Sequence, residues 1–178
     1  GVLVLGASGG VGTFHGSLAA ASGATVWGQI GSPSKAAVVE RQGAERVLVA
    51  GPDELADAIA DFEPTVVFDP LGDGFVAPAI ESLAVHGRIV SFGTSAGPEV
   101  RCNMQTVYRN GLSLLGYGGM RLGREERRRG LDAALEALRE GHLRVVIDEV
   151  LALDQVNEAF ARIERRQVTG KLLLRLGS

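Results

Sequence analysis

The chain holds 178 residues, 46% of them hydrophobic and 22% charged, with 18 basic and 21 acidic side chains and a net charge of −3. That balance suits one globular domain of ordinary size and excludes a disordered chain, which carries fewer apolar residues and a larger charge imbalance. It gives no electrostatic footing for nucleic acid or an anionic membrane as partner. The single cysteine, Cys102, excludes an internal disulfide and any multi-cysteine zinc site.

No apolar run reaches the roughly 18 residues a membrane helix needs, so no membrane partner is expected. A lone thiol suits a reducing compartment, and the expected location is cytoplasmic. Gly1 leads straight into an apolar run with no Met before it. The expectation is a domain excised from a longer protein.

Short apolar runs alternate with helical patterns. Val2–Leu5 reads as a strand, Val11–Ser22 as a helix, Thr25–Ile30 as a strand, Ser34–Gln42 as a helix and Arg46–Val49 as a strand. Asp53–Phe62 follows as a helix, Thr65–Asp69 as a strand, Phe75–Val85 as a helix, and Arg88–Phe92 and Leu112–Gly116 as strands. Ser34 and Asp53 stand where N-caps are wanted, and Gly23 and Gly43 where helices stop. Strands apolar on both faces, separated by helices, predict an α/β fold: a doubly wound parallel sheet of about six strands. A helix-strand tail follows. Arg124–Glu140 reads as an amphipathic helix, Val145–Leu151 as a strand, Asp154–Arg166 as a helix and Lys171–Leu176 as a last strand.

The segment Gly6-Ala7-Ser8-Gly9-Gly10-Val11-Gly12 follows the first strand and opens the first helix. Such a turn exposes backbone N–H groups at a helix N-terminus, where the dipole favours a pyrophosphate. Gly9 permits close approach of the phosphates, and Gly12 lets the helix pack on the sheet. Against G-x-G-x-x-G the first glycine is replaced by Ala7, but the strand–turn–helix setting points to dinucleotide binding. An NAD site places an acid about 20 residues beyond the loop, on the ribose 2′-OH. Thr13 through Val39 contains none; the second strand runs instead into Gly31-Ser32-Pro33-Ser34-Lys35. Lys35 is one of two lysines among 18 basic residues. The predicted cofactor is NADP(H). Short-chain dehydrogenase chemistry is not supported, because Tyr108 and Tyr117 are followed at the Tyr-x-x-x-Lys spacing by Leu112 and Arg121.

Together with Val66-Val67-Phe68-Asp69-Pro70-Leu71-Gly72, Gly87 through Gly97, and Val168-Thr169-Gly170-Lys171, these stretches resemble the cofactor-binding domain of the medium-chain dehydrogenase/reductase superfamily. The likeness is to its quinone oxidoreductase-like branch. The resemblance implies a Rossmann NADP(H)-binding domain over residues 1–150. Residues 151–178 would pack on an N-terminal GroES-like substrate domain that is not in this chain. It implies that Ser8, Gly9, Gly10 and Val11 cradle the pyrophosphate, and that Gly31, Ser32 and Lys35 hold the ribose and its 2′-phosphate. Leu71 and Gly72 would border the middle of the cofactor, and Phe92, Gly93, Thr94 and Ser95 would line the nicotinamide. Where some relatives carry a tyrosine after the third strand, this chain has Ala50. The implied activity is hydride transfer from NADPH to a quinone or α,β-unsaturated carbonyl, with pairing of sixth strands in a homodimer. A zinc-dependent alcohol dehydrogenase parent and a non-catalytic NADP(H)-binding module stand as alternatives. No catalytic or metal-ligating residue is assigned within the chain. His15, His86 and His142 show no metal spacing; His15 reads as a packing residue on the first helix, Trp27 as core and Asp69 as a structural hydrogen-bonder.

Overall fold

The computed structural model describes residues 1–177. Six short strands, β1 (Val2–Val4), β2 (Val26–Ile30), β3 (Arg46–Val49), β4 (Val66–Asp69), β5 (Arg88–Ser91) and β6 (Ser113–Gly116), form one parallel sheet in the order β3-β2-β1-β4-β5-β6. Strand order reverses between β1 and β4, where Leu3 faces Trp27 on one side and Val67 on the other. Ligands bind at such a switch point, outside the carboxyl ends of the strands.

Side chains alternate between the two faces, and helices cover both. On one face Val2, Val4, Val26 and Ile30 pack beneath α1 (Gly12–Ala21) and α2 (Ala36–Arg41). On the other, Leu3, Leu5, Val67 and Ile89 pack with Leu55 of α3 (Pro52–Ala58) and Ile80 of α4 (Asp73–Glu81). This double cover is why the strands read as continuous apolar runs. Trp27, predicted as core, is partly buried against the core, stacked on Phe62 with ring centroids 4.1 Å apart.

Three local readings need correction. The predicted helix from Ser34 begins as a 3-10 turn over Pro33–Lys35, and the Ser34 hydroxyl pairs with that of Ser32 at 2.9 Å instead of capping. Asp53 does not cap α3: the helix starts at Pro52, and Glu54 reaches back to accept the Gly51 N–H at 2.9 Å. A helix absent from the sequence reading, α5 (Met104–Arg109), precedes β6. It buries only Val107 and so shows no periodicity; its one signal is Asn103, whose side chain accepts the Gln105 N–H at 2.9 Å.

The tail comprises α6 (Arg124–Arg139), β7 (Ile147–Ala152), α7 (Val156–Glu164) and β8 (Lys171–Arg175). β7 and β8 pair in a separate two-stranded parallel sheet, and the predicted division at 150/151 falls inside β7. The tail returns to the main sheet at the glycine loop: the Gly170 N–H donates to the Ser8 carbonyl at 2.8 Å.

Candidate functional site

The chain leaves β1 and turns at Gly6, whose φ is +59°. Gln29 holds the turn. Its Oε1 accepts the Gly6 N–H at 2.9 Å, and its Nε2 donates to the Ala50 carbonyl at 2.7 Å. The Gly9 N–H closes the loop onto the Gly6 carbonyl at 2.9 Å. A β-carbon on Gly12 would strike Gly6 and Ala7, so α1 starts hard against the turn. No side chain caps α1, and its first turn carries no acid. The Gly10 N–H faces the Gly170 carbonyl in the parallel bridge between Gly9 and Gly170, while among the described residues the Val11 N–H has no acceptor, and Val11 is 45% exposed. An uncapped helix N-terminus with a free donor is a place for an anion. Ser8 is buried, and its carbonyl is taken by Gly170.

Lys171 stands beside this loop, and Lys35 holds the segment that leads into Gly170. A β-carbon on Gly10 would lie 3.1 Å from Lys171 Nζ, and that ammonium sits 5.3 Å from the Phe14 ring centroid. Lys171 was not among the predicted site residues. Its signal was available: it is the only lysine besides Lys35. Lys35 Nζ donates to the carbonyls of Arg166 at 2.6 Å and Val168 at 2.7 Å, which leaves one N–H for a ligand. Partial burial pulls this ammonium below the usual lysine range, and the Asp148 carboxylate pushes it back up. Ser32 is half-buried, and Gly31 is exposed with open space where a side chain would be.

The other predicted residues meet at the carboxyl ends of β4 and β5. Asp69, fully buried, accepts the Leu71 and Gly72 N–H groups at 2.8 and 2.9 Å and the Ser91 hydroxyl at 2.6 Å. The Ser95 N–H and hydroxyl both donate to the Pro70 carbonyl at 3.2 Å, and the Ala96 N–H donates to the Leu71 carbonyl at 2.8 Å. Gly72, at φ +75°, packs so close to Gly97 that no β-carbon fits. The two loops carrying Leu71, Gly72 and Phe92 through Ser95 are thereby locked into one rim. Thr94 is exposed on it and Gly93 half-buried, while the Ser95 hydroxyl is committed to the rim itself. Phe92 meets the edge of His15 at 4.9 Å, and His15 stacks flat on Phe68 at 4.2 Å. His15 is thus a packing residue; burial holds its imidazole below the usual histidine pKa.

One rim therefore carries cationic and N–H donors at one end and apolar, backbone-lined loops at the other. That shape and polarity fit an elongated ligand with phosphates in its middle. The family described as zinc-binding dehydrogenase matches residues 10–137. The chain belongs to that family. Its matches place it in the medium-chain dehydrogenase/reductase superfamily, on the quinone oxidoreductase-like branch. It is similar to quinone oxidoreductase-like protein 2 of Bos taurus, 32% identical over 82% of this chain and 44% of that one. It is also similar to acryloyl-coenzyme A reductase of Metallosphaera sedula, 29% identical over 97% of this chain and 50% of that one. The solved structure of AibC is 28% identical and superposes with a TM-score of 0.83 over 99% of this chain and 49% of that one. The chain spans about half the length of the curated relatives it matches. Among the described residues of this dehydrogenase-family chain, no group of three or more His, Cys, Asp or Glu could hold the metal in the family's description. No step is assigned to a metal here.

Proposed function

We propose that this chain is the nucleotide-binding domain of an NADPH-dependent oxidoreductase of quinone or enone reductase type. The observation that carries the reading is an uncapped helix N-terminus beside Lys171, with Lys35 held on the carbonyls of the segment that bonds this loop. The pyrophosphate rests on the Val11 N–H, beside Lys171, with Ser8, Gly9 and Gly10 shaping the cradle. Gly31, Ser32 and the remaining N–H of Lys35 hold the ribose and its 2′-phosphate, a charge that an ammonium suits and a carboxylate would repel. Leu71 and Gly72 border the middle of the cofactor, and Phe92, Gly93, Thr94 and Ser95 line the nicotinamide, whose orientation is set by the rim that Asp69 and Pro70 hold together. When bound, the cofactor supplies the hydride; the chain's part is to bind, orient and exclude water.

The quinone or α,β-unsaturated carbonyl substrate would be held by the part of the protein that this chain's length leaves to its relatives. The apolar faces of α6 and α7 would pack there. β6 is an edge strand paired only with β5, and Leu114 and Leu115 on it are exposed. That supports a homodimer through this edge. No described helix is long and apolar enough to cross a membrane, and the single free thiol suits a cytoplasmic setting.

A fluorescence titration with NADPH and with NADH tests the reading. NADPH should bind tighter, Lys35→Ala should remove that preference, and Lys171→Ala should weaken both by about tenfold or more, as loss of a charge-assisted contact does. Equal affinity for the two cofactors overturns the NADPH assignment, and binding of neither overturns the nucleotide site. The chain should bind without appreciable turnover; turnover at the rate of an intact enzyme would contradict the division of labour proposed here.

A further inference from the structure

Cofactors with and without a 2′-phosphate are ordinarily told apart at the end of the second strand, where an acid favours the free 2′-OH. From Thr13 to Val39 this chain has no acid. The tail supplies one from far along the sequence. Lys35 Nζ donates to the Val168 carbonyl at 2.7 Å, and the N–H of that same peptide group, on Thr169, donates to Asp148 Oδ1 at 3.3 Å. A single peptide unit thus lies between the ammonium and a carboxylate. Asp148 does not swing freely: Arg162 pairs with it at 2.6 Å, and their side chains are only 20% and 22% exposed.

We propose that Asp148 is a specificity-determining residue of the 2′-phosphate site, a carboxylate that tempers the attraction of Lys35 for that phosphate. The proposal rests on the NADPH reading of Lys35. Arg162 does not cancel Asp148, because it also pairs with Glu149. Asp148, Glu149 and, farther off, Glu158 all act on Arg162, so Arg162 adds no net positive field at Lys35. A phosphate reaching the last N–H of Lys35 meets Asp148 beyond one peptide unit, a separation comparable to the roughly 8–10 Å over which salt screens charge, and partial burial of both groups weakens that screening. Preference for NADPH then comes from one hydrogen bond and a divided charge, and it is held below what the absence of a second-strand acid would allow.

Asp148→Asn keeps the shape and an acceptor for the Thr169 N–H while removing one negative charge from beside the ammonium. Dissociation constants of the full chain for NADPH and NADH, measured by fluorescence titration, give the readout. NADPH should bind about fivefold tighter, as expected for removing a nearby like charge at intermediate dielectric, with NADH unchanged within about twofold; a merely structural role would move both together. Raising the salt should shrink the gain. Glu149→Gln, at a more exposed position, shifts the same group of charges in the same direction and should give a smaller gain, which keeps the test open if the Asp148 variant does not fold. An unchanged or reduced ratio of NADPH to NADH affinity in the variants that fold overturns the proposal. Lys35→Ala separates the two failures. If it removes NADPH preference while the acid variants change nothing, only the role of Asp148 falls. If it leaves the preference intact, the reading of Lys35 falls and this proposal with it.

Discussion

Of the 24 buried apolar residues described, 21 lie between Val2 and Val107, and three, Leu143, Leu151 and Ala159, lie beyond β6. The sheet half closes on itself because helices cover both of its faces. The tail half has amphipathic helices with nothing over them. Leu131 and Leu135 of α6 and Phe160 and Ile163 of α7 are all at least 40% exposed, and α6 buries no residue at all. Its attachment is polar instead: the Gly170 bond to Ser8, the Lys35 bonds to Arg166 and Val168, and a bond from Arg144 to the Arg41 carbonyl. Stability therefore lives in one half, while the other half contributes groups to the site that the first half builds.

The contrast can be broken at several points. Ile80→Ala, in the centre of the sheet half, should cost about 2–5 kcal/mol and lower the melting temperature by roughly 5–15 °C. A loss below about 1 kcal/mol would mean that this core is not what holds the chain. Gln29→Leu should cost about 1–3 kcal/mol by leaving the Gly6 N–H and Ala50 carbonyl without partners. It should also weaken NADPH binding, because the glycine loop loses its tie; intact affinity with lowered stability would make Gln29 a core residue only. His15 adds a pH signature. Burial lowers its folded pKa below 6.5, so the unfolded chain binds the proton more readily. Stability should then fall as pH drops below about 6.5 and be regained as pH rises through that range. His15→Leu should flatten this slope in thermal melts, and an unchanged slope would place the proton uptake elsewhere. The smallest effect belongs to the tail. Leu135→Ala should shift stability by no more than about 0.5 kcal/mol, and a larger loss would show that α6 is seated more firmly than its exposure indicates.

Much of this is legible in the sequence. The strand–glycine–helix opening fell within one residue of its place, and Gly23 and Gly43 end their helices at φ +79° and +97° as read. Leu71 and Gly72, expected at the middle of a cofactor, and Phe92 through Ser95, expected at its nicotinamide, lie on neighbouring loops bonded to each other. The misses have physical causes. α5 is too short to show a period. The helix predicted from Ser34 yields its first turn to Pro33 and to a hydroxyl pair with Ser32. Gln29 was not singled out, because neither of its amide partners is near it in sequence.

Sequence alone determined what short-range physics controls: where the chain alternates between strand and helix, where a glycine must turn it, and that no acid follows the second strand. Only the tertiary structure decided which distant groups serve the site. Lys171 reaches Gly10, and Asp148 reaches the peptide that Lys35 holds, only after β8 has docked on the glycine loop. Residue periodicity reports neighbours two to four positions apart. Contacts across more than a hundred residues depend on how the sheet, once closed, receives the tail.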